Sequence, residues 1–156
     1  MSYSPPPGQP AFAPLRAWRL PWPQRIVMVV AGSVLVGLLI TASQLTPSPQ
    51  GLGTHQRLGL PMCSLRVWFG IRCPSCGMTT SWAHLTRGNL PAAVRCNSGG
   101  ALLGLASLVS GPWLLVSGLR GRWWYGPPHE WVTLGIGFGI IAVTLIDWTL
   151  RLTFGW

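Results

Sequence analysis

The chain has 156 residues, of which 8% are charged, with ten tryptophans and twenty glycines. Ordinary soluble domains carry about 25% charged residues, so this composition excludes one and points to a membrane protein. The net charge of +9 comes from eleven arginines and no lysine; they stand at segment ends and form no basic run, which argues against nucleic acid and for anionic lipid headgroups as the partner.

Residues 1–14 (MSYSPPPGQPAFAP) contain five prolines and no hydrophobic period, the pattern of a disordered tail. Arg16, Arg19 and Arg25 then interleave with Trp18 and Trp22, as in a segment lying at a headgroup interface. Residues 1–25 are therefore read as tail plus interfacial segment, and 26–156 as a single multi-pass membrane domain.

Ile26–Leu45 is twenty residues without a charge. At about 1.5 Å per residue it spans a hydrocarbon core of about 30 Å. It is longer than a signal-peptide apolar region and Thr41–Ser43 is a poor cleavage site, so a retained helix is expected.

Residues 46–97 hold all four cysteines, Cys63, Cys73, Cys76 and Cys96. Residues 58–77 (LGLPMCSLRVWFGIRCPSCG) are half apolar but interrupted by Pro61, Arg66 and Arg72. They are too broken to span and too greasy for an exposed loop, so they should lie at the membrane surface or dip into it. Pro74 suits a first helical turn, and Gly88-Asn89 supplies a stop followed by an N-cap. A short helix over 75–87 should hinge at Gly88 into a long one that starts near Leu90 and becomes the second span.

The second span covers about 98–119, where Gly111 and Pro112 could kink the helix or end it. The third covers about 131–154. Gly100 with Gly104, and Gly135 with Gly139, form GxxxG pairs that mark candidate helix-contact faces. Asp147 lies inside the third span, four residues before Arg151, a spacing that suits an interfacial ion pair. His129-Glu130 falls in a solvent-facing turn. Thr79, Thr80 and Ser81 could line a polar path or bond back to helix carbonyls.

Two thiolates three residues apart, Cys73 and Cys76, can grip one tetrahedral ion, and Gly77 lets the backbone turn around it. Cys63 offers a third sulfur. His55, free in a loop, is the candidate fourth ligand. His84 is eight residues from Cys76, about 12 Å along one helix, which metal–ligand bonds of about 2.0–2.3 Å cannot close. Cys96 on a membrane helix reads as packing.

Three chemistries stay open: a structural metal site, with zinc the expected ion; a redox or disulfide pair of Cys73 and Cys76; and buried thiols in a tight turn. No Ser-His-Asp set, phosphate loop or inward carboxylate pair occurs, so hydrolytic or phosphoryl-transfer catalysis is not expected.

The stretch from Gly51 to Asn97 resembles a family of small bacterial multi-pass membrane proteins catalogued as domain of unknown function 2752. That pattern runs from a cysteine through C-P-x-C-G-x-T and a short helix ending at glycine to R-x-N-P before a span. Cys63, Cys73, Pro74, Cys76, Gly77, Thr79, Gly88, Arg95 and Asn97 match, and Ser98 stands where the pattern has proline. The resemblance covers roughly residues 51–150. It implies membrane location and a Cys-bearing hairpin, and the family's activity is unassigned.

The expectation is an all-α integral membrane protein with three transmembrane helices and a Cys-bearing interfacial hairpin between the first two. It resides in the cell membrane. Its partners are the bilayer and either a second copy or a larger membrane complex in which it is a helper subunit. A cytoplasmic N-terminus places Arg16, Arg19, Arg25, Arg120 and Arg122 inside and Arg57, Arg66, Arg72, Arg87, Arg95 and Arg151 outside. Discounting Arg66 and Arg72, which stand far from helix ends, favours that orientation.

Overall fold

Two prolines frame the start of the first helix. Pro21 is its N-cap and Pro23 lies in its first turn, where an amide hydrogen would have no helical partner. The computed structural model describes residues 19–154. The Pro-rich tail, with Arg16 and Trp18, lies outside the described residues. Helix α1 spans Trp22–Gln44, so it begins four residues before the expected Ile26: Trp22 to Arg25 fold as its first turn.

A 3₁₀ turn follows at Thr54–Leu58, then α2 (Ser64–Phe69), α3 (Met78–Leu85), α4 (Leu90–Cys96), α5 (Ser98–Arg120) and α6 (Glu130–Phe154). No strand occurs among the described residues. Helices α1, α5 and α6, of 23, 23 and 25 residues, are each long and apolar enough to cross a membrane. Their outward faces are greasy: Val27, Val34 and Leu38 on α1, Val109 on α5 and Phe138 and Ile146 on α6 are all exposed. In lipid such faces are solvated, and the backbone is satisfied within each helix.

Glycine sets the packing of α1 against α5. A Cβ on Gly32 would lie 2.6 Å from the backbone nitrogen of Leu115, and one on Gly118 would lie 2.8 Å from Val29 Cγ2. Gly111 faces Leu35 and Val36. The start of α1 thus meets the end of α5, and the two helices run antiparallel. Arg25 closes that end by donating to the carbonyls of Gly118 (3.2 Å) and Leu119 (3.3 Å), the last acceptors of α5. Pro112 is accommodated within α5 and does not end it.

Gly99 of α5 sits against Thr144 of α6 with no room for a side chain. Asp147 then joins the two helices. Its carboxylate accepts from the Ser98 backbone N–H (3.4 Å) and hydroxyl (3.1 Å), and from Arg151 (2.9 Å). The expected ion pair is present, and it also caps α5. The end of α1, the start of α5 and the end of α6 therefore share one side of the bundle, with the Cys-bearing segment upon it.

The hinge differs from expectation in one place. Gly88 (φ +75°) ends the hairpin's first arm, and the Asn89 side chain accepts from the Ala92 N–H (3.2 Å), as the sequence indicates. The second arm, however, is not continuous with the span. Asn97 is extended (φ −164°, ψ 110°), so α4 stops and α5 starts anew with the Asn97 side chain as its cap.

Candidate metal centre

Cys63 is the N-cap of α2. Cys73 and Cys76 flank a tight turn closed by the Cys76 N–H on the Cys73 carbonyl at 3.0 Å. This turn, not a helical one, precedes α3, because Gly77 is left-handed (φ +86°). A Cβ there would lie 2.6 Å from the Cys96 carbonyl oxygen and 3.0 Å from that of Gly51. Only glycine lets the knuckle seat between the 46–53 loop and the end of α4.

The turn is held from below by Asn97. Its Nδ2 donates to the carbonyls of Pro74 (2.9 Å) and Cys76 (3.1 Å), and its Oδ1 accepts from the Gly100 N–H (2.6 Å). The Ser81 hydroxyl donates to the Asn97 carbonyl (3.3 Å), and Trp82 Nε1 to that of Gly100 (2.9 Å). The hydroxyls of Thr54 and Thr80 bond at 2.8 Å in full burial, tying the 3₁₀ turn to α3. Thr80 and Ser81 thus serve structure, and with Trp82 they make α3 the platform beneath the sulfurs. Thr79 lines the cavity above.

The three sulfurs of Cys63, Cys73 and Cys76 all lie within 4.8 Å of one another. Cys73 donates to Cys76 Sγ at 3.1 Å. A zinc–sulfur tetrahedron with bonds of about 2.3 Å has edges of about 3.8 Å, close to the spacing of this cluster. The three cysteines could hold a metal ion. They open into a cavity of about 210 Å³ that is also lined by His55, Arg66 and Thr79. His55 shares the cavity but not the tight cluster. His84 and Cys96 line a different cavity, against the 47–52 loop.

The thiols are not equivalent. The Cys63 thiol is held below its ordinary value, first by the adjacent Cys73 side chain and then by the Arg66 backbone N–H. Burial, reinforced by Cys76 and Cys63, pushes Cys73 up to about 12. Burial also raises Cys96, with Arg151 opposing. The Cys63 and Cys73 shifts run in opposite directions.

The chain around Cys63 is exposed and apolar: in α2, Val67, Trp68 (81% exposed) and Phe69 face largely outward. Cys63, at the start of that greasy helix, brings it to the knuckle.

Of the GxxxG positions, Gly104 faces Leu85 and Trp82 of α3, and Gly100 sits beside Asn97. Gly135 and Gly139 have nothing within 4 Å of a built Cβ. Sequence reasoning passed over Gly32, Gly111 and Gly118 as contact residues. Gly104, Gly111 and Gly118 recur every seven residues, a signal that could have found the stripe.

Fold and site define a helical multi-pass membrane protein with a three-thiol cluster between its first two spans. A family model described as a protein of unknown function (DUF2752) matches residues 63–111; it is the family the cysteine pattern resembles. The matched stretch runs from Cys63 through the knuckle and Asn97 into α5, and leaves His55 and α6 outside. No curated protein and no solved structure matches the chain.

Proposed function

We propose that Cys63, Cys73 and Cys76 bind a zinc ion with a structural, non-catalytic role, and that His55 closes the coordination shell. The observation that carries this reading is the mutual approach of three sulfurs within 4.8 Å, around a cavity that His55 also lines. Structural zinc sites are four-coordinate, and the Gly53 and Gly59 turns that flank His55 (φ +82° and +76°) give its segment room to close. The ion's task would be to fasten the apolar helix α2 to the α3 platform at the membrane surface. Metal analysis of detergent-purified protein should return one zinc per chain, and X-ray absorption three sulfur neighbours and one nitrogen. Less than about a tenth of an equivalent of any metal overturns the reading.

A second reading is favoured by the 3.1 Å approach of Cys73 and Cys76: a membrane thiol–disulfide protein using that pair. A cytoplasmic N-terminus, which the arginine distribution favours, sets the cysteines on the opposite, oxidising face. Mass-tagging of thiols in intact cells separates the two. Reversible oxidation of the pair supports redox, whereas thiols that react only after chelation support metal. Topology mapping at residue 70 decides which compartment applies.

A further inference from the structure

Around the end of α4 and the end of α6, three arginines line the surface facing the 47–52 loop. Arg72, Arg95 and Arg151, with Gln50, line two adjoining cavities of about 360 Å³ and about 750 Å³. They come from three separate places in the chain: the irregular segment before the knuckle, the last turn of α4 and the last turn of α6. Arg151 is fixed by the Asp147 carboxylate (2.9 and 3.1 Å) and donates to the Arg95 carbonyl (3.0 Å). Trp148 Nε1 holds the Arg72 carbonyl at 2.6 Å. The backbones bearing the arginines are thus anchored, yet no described residue hydrogen-bonds or ion-pairs with the guanidinium of Arg72 or Arg95.

Charge is unbalanced here. The chain has two acidic residues, and Glu130 begins α6 at its far end, so Asp147 alone faces three arginines. His84 and Cys96 line the smaller cavity and supply no anion at neutral pH. The larger cavity is walled on its other side by Val94, Leu150 and Phe154, all exposed. Leu150 and Phe154 lie one turn apart on a helix that is long and apolar enough to span. A polar, cationic head region therefore continues into an apolar slot at the level where headgroups give way to acyl chains.

We propose that this site binds a phosphate group carried on an amphiphile, an anionic lipid whose phosphate sits between Arg72 and Arg95 and whose chain lies along Leu150 and Phe154. Guanidinium forks match phosphate oxygens in pairs, and the two unpaired arginines offer that geometry beside a third already neutralised. A doubly charged phosphate monoester balances the excess charge; a zwitterionic headgroup does not. The proposal does not rest on what the thiols bind, and Arg72, next to Cys73 in the chain, is where the two sites adjoin.

The test is native mass spectrometry of the full chain released from phosphatidylcholine nanodiscs doped with phosphatidic acid, with inorganic phosphate as a competitor. The wild type should retain phosphatidic acid at least about tenfold over phosphatidylcholine, and Arg72→Gln with Arg95→Gln should lose at least about tenfold of that retention. Arg57→Gln, on the 3₁₀ turn, should lose none. Arg72→Lys with Arg95→Lys keeps the charge should the neutral pair misfold, and should still weaken retention by removing the fork. Phe154→Ala should weaken phosphatidic acid and leave inorganic phosphate unaffected. Equal retention of phosphatidylcholine, or full retention by a folded Arg72/Arg95 variant, overturns the site. Competition by inorganic phosphate at equal affinity overturns the amphiphile assignment.

Discussion

Asn97 Nδ2 donates to the Cys76 carbonyl at 3.1 Å while Asn97 Oδ1 accepts from the first turn of α5 at 2.6 Å. One buried amide thus couples the thiol turn to the start of a membrane span. Asn97 is 3% exposed, so water cannot replace either bond. Asn97→Ala loses a helix cap and leaves the Pro74 and Cys76 carbonyls without their donor. Together these cost about 2–4 kcal/mol. Asn97→Asp keeps the cap but turns a carboxylate oxygen toward those carbonyls. Far-UV circular dichroism in detergent should show helicity kept in the aspartate variant, while metal per chain falls in both.

Gly77 and Gly88 are both left-handed, at φ +86° and +75°, yet they should respond differently to alanine. Gly88 has open space around its Cβ position, so Gly88→Ala costs only backbone strain, about 1–2 kcal/mol. Gly77→Ala adds a collision with the Cys96 and Gly51 carbonyls, both backbone atoms that cannot swing aside. Its cost should exceed that of Gly88→Ala by at least about 1–3 kcal/mol, and should bring loss of bound metal. Thermal unfolding of the two variants side by side checks the ordering.

The spans were legible because a membrane helix writes itself as one long charge-free run, and length alone decides it. The knuckle was legible because C-P-x-C-G fixes two sulfurs locally. What the sequence hid is non-local. Asn97 is a residue type that caps helices, so a start for α5 is legible there, whereas its bonds to carbonyls twenty-odd residues upstream, which hold it between α4 and α5, are not. Asp147 reads as half of an ion pair, and its second role appears only when Ser98 arrives from 49 residues away. The GxxxG search looked for spacing four, whereas the α1–α5 contact uses spacing seven.

The thiol pair of Cys63 and Cys73 should alkylate in a fixed order once metal is stripped. Cys63 is shifted toward thiolate by the adjacent Cys73 side chain, and Cys73 is held as thiol, with its value near 12. At pH 7 to 8 an iodoacetamide time course read by peptide mass should label Cys63 before Cys73. Binding a metal must expel the Cys73 proton at any pH below about 12. Metal affinity therefore rises with pH, about tenfold per pH unit for each proton displaced. A pH-independent affinity would mean that Cys73 is not a ligand.

Gly32 and Gly139 test which glycines hold helices together. A leucine at Gly32 must enter space occupied by the Leu115 nitrogen and the Gly111 carbonyl, at 2.6 and 2.9 Å from its Cβ. With no flexible atom to yield, α1 has to move off α5, and Gly32→Leu should lower the thermal midpoint sharply, by more than about 3 kcal/mol in stability. Gly139→Leu points into open space and should stay within about 0.5 kcal/mol of the parent. Light scattering in detergent adds a second readout. If the Gly135–Gly139 face pairs two copies, Gly139→Leu dissociates them while the monomer's melting is unchanged. Equal destabilisation by both substitutions would mean that α6 is packed inside the bundle and not on its rim.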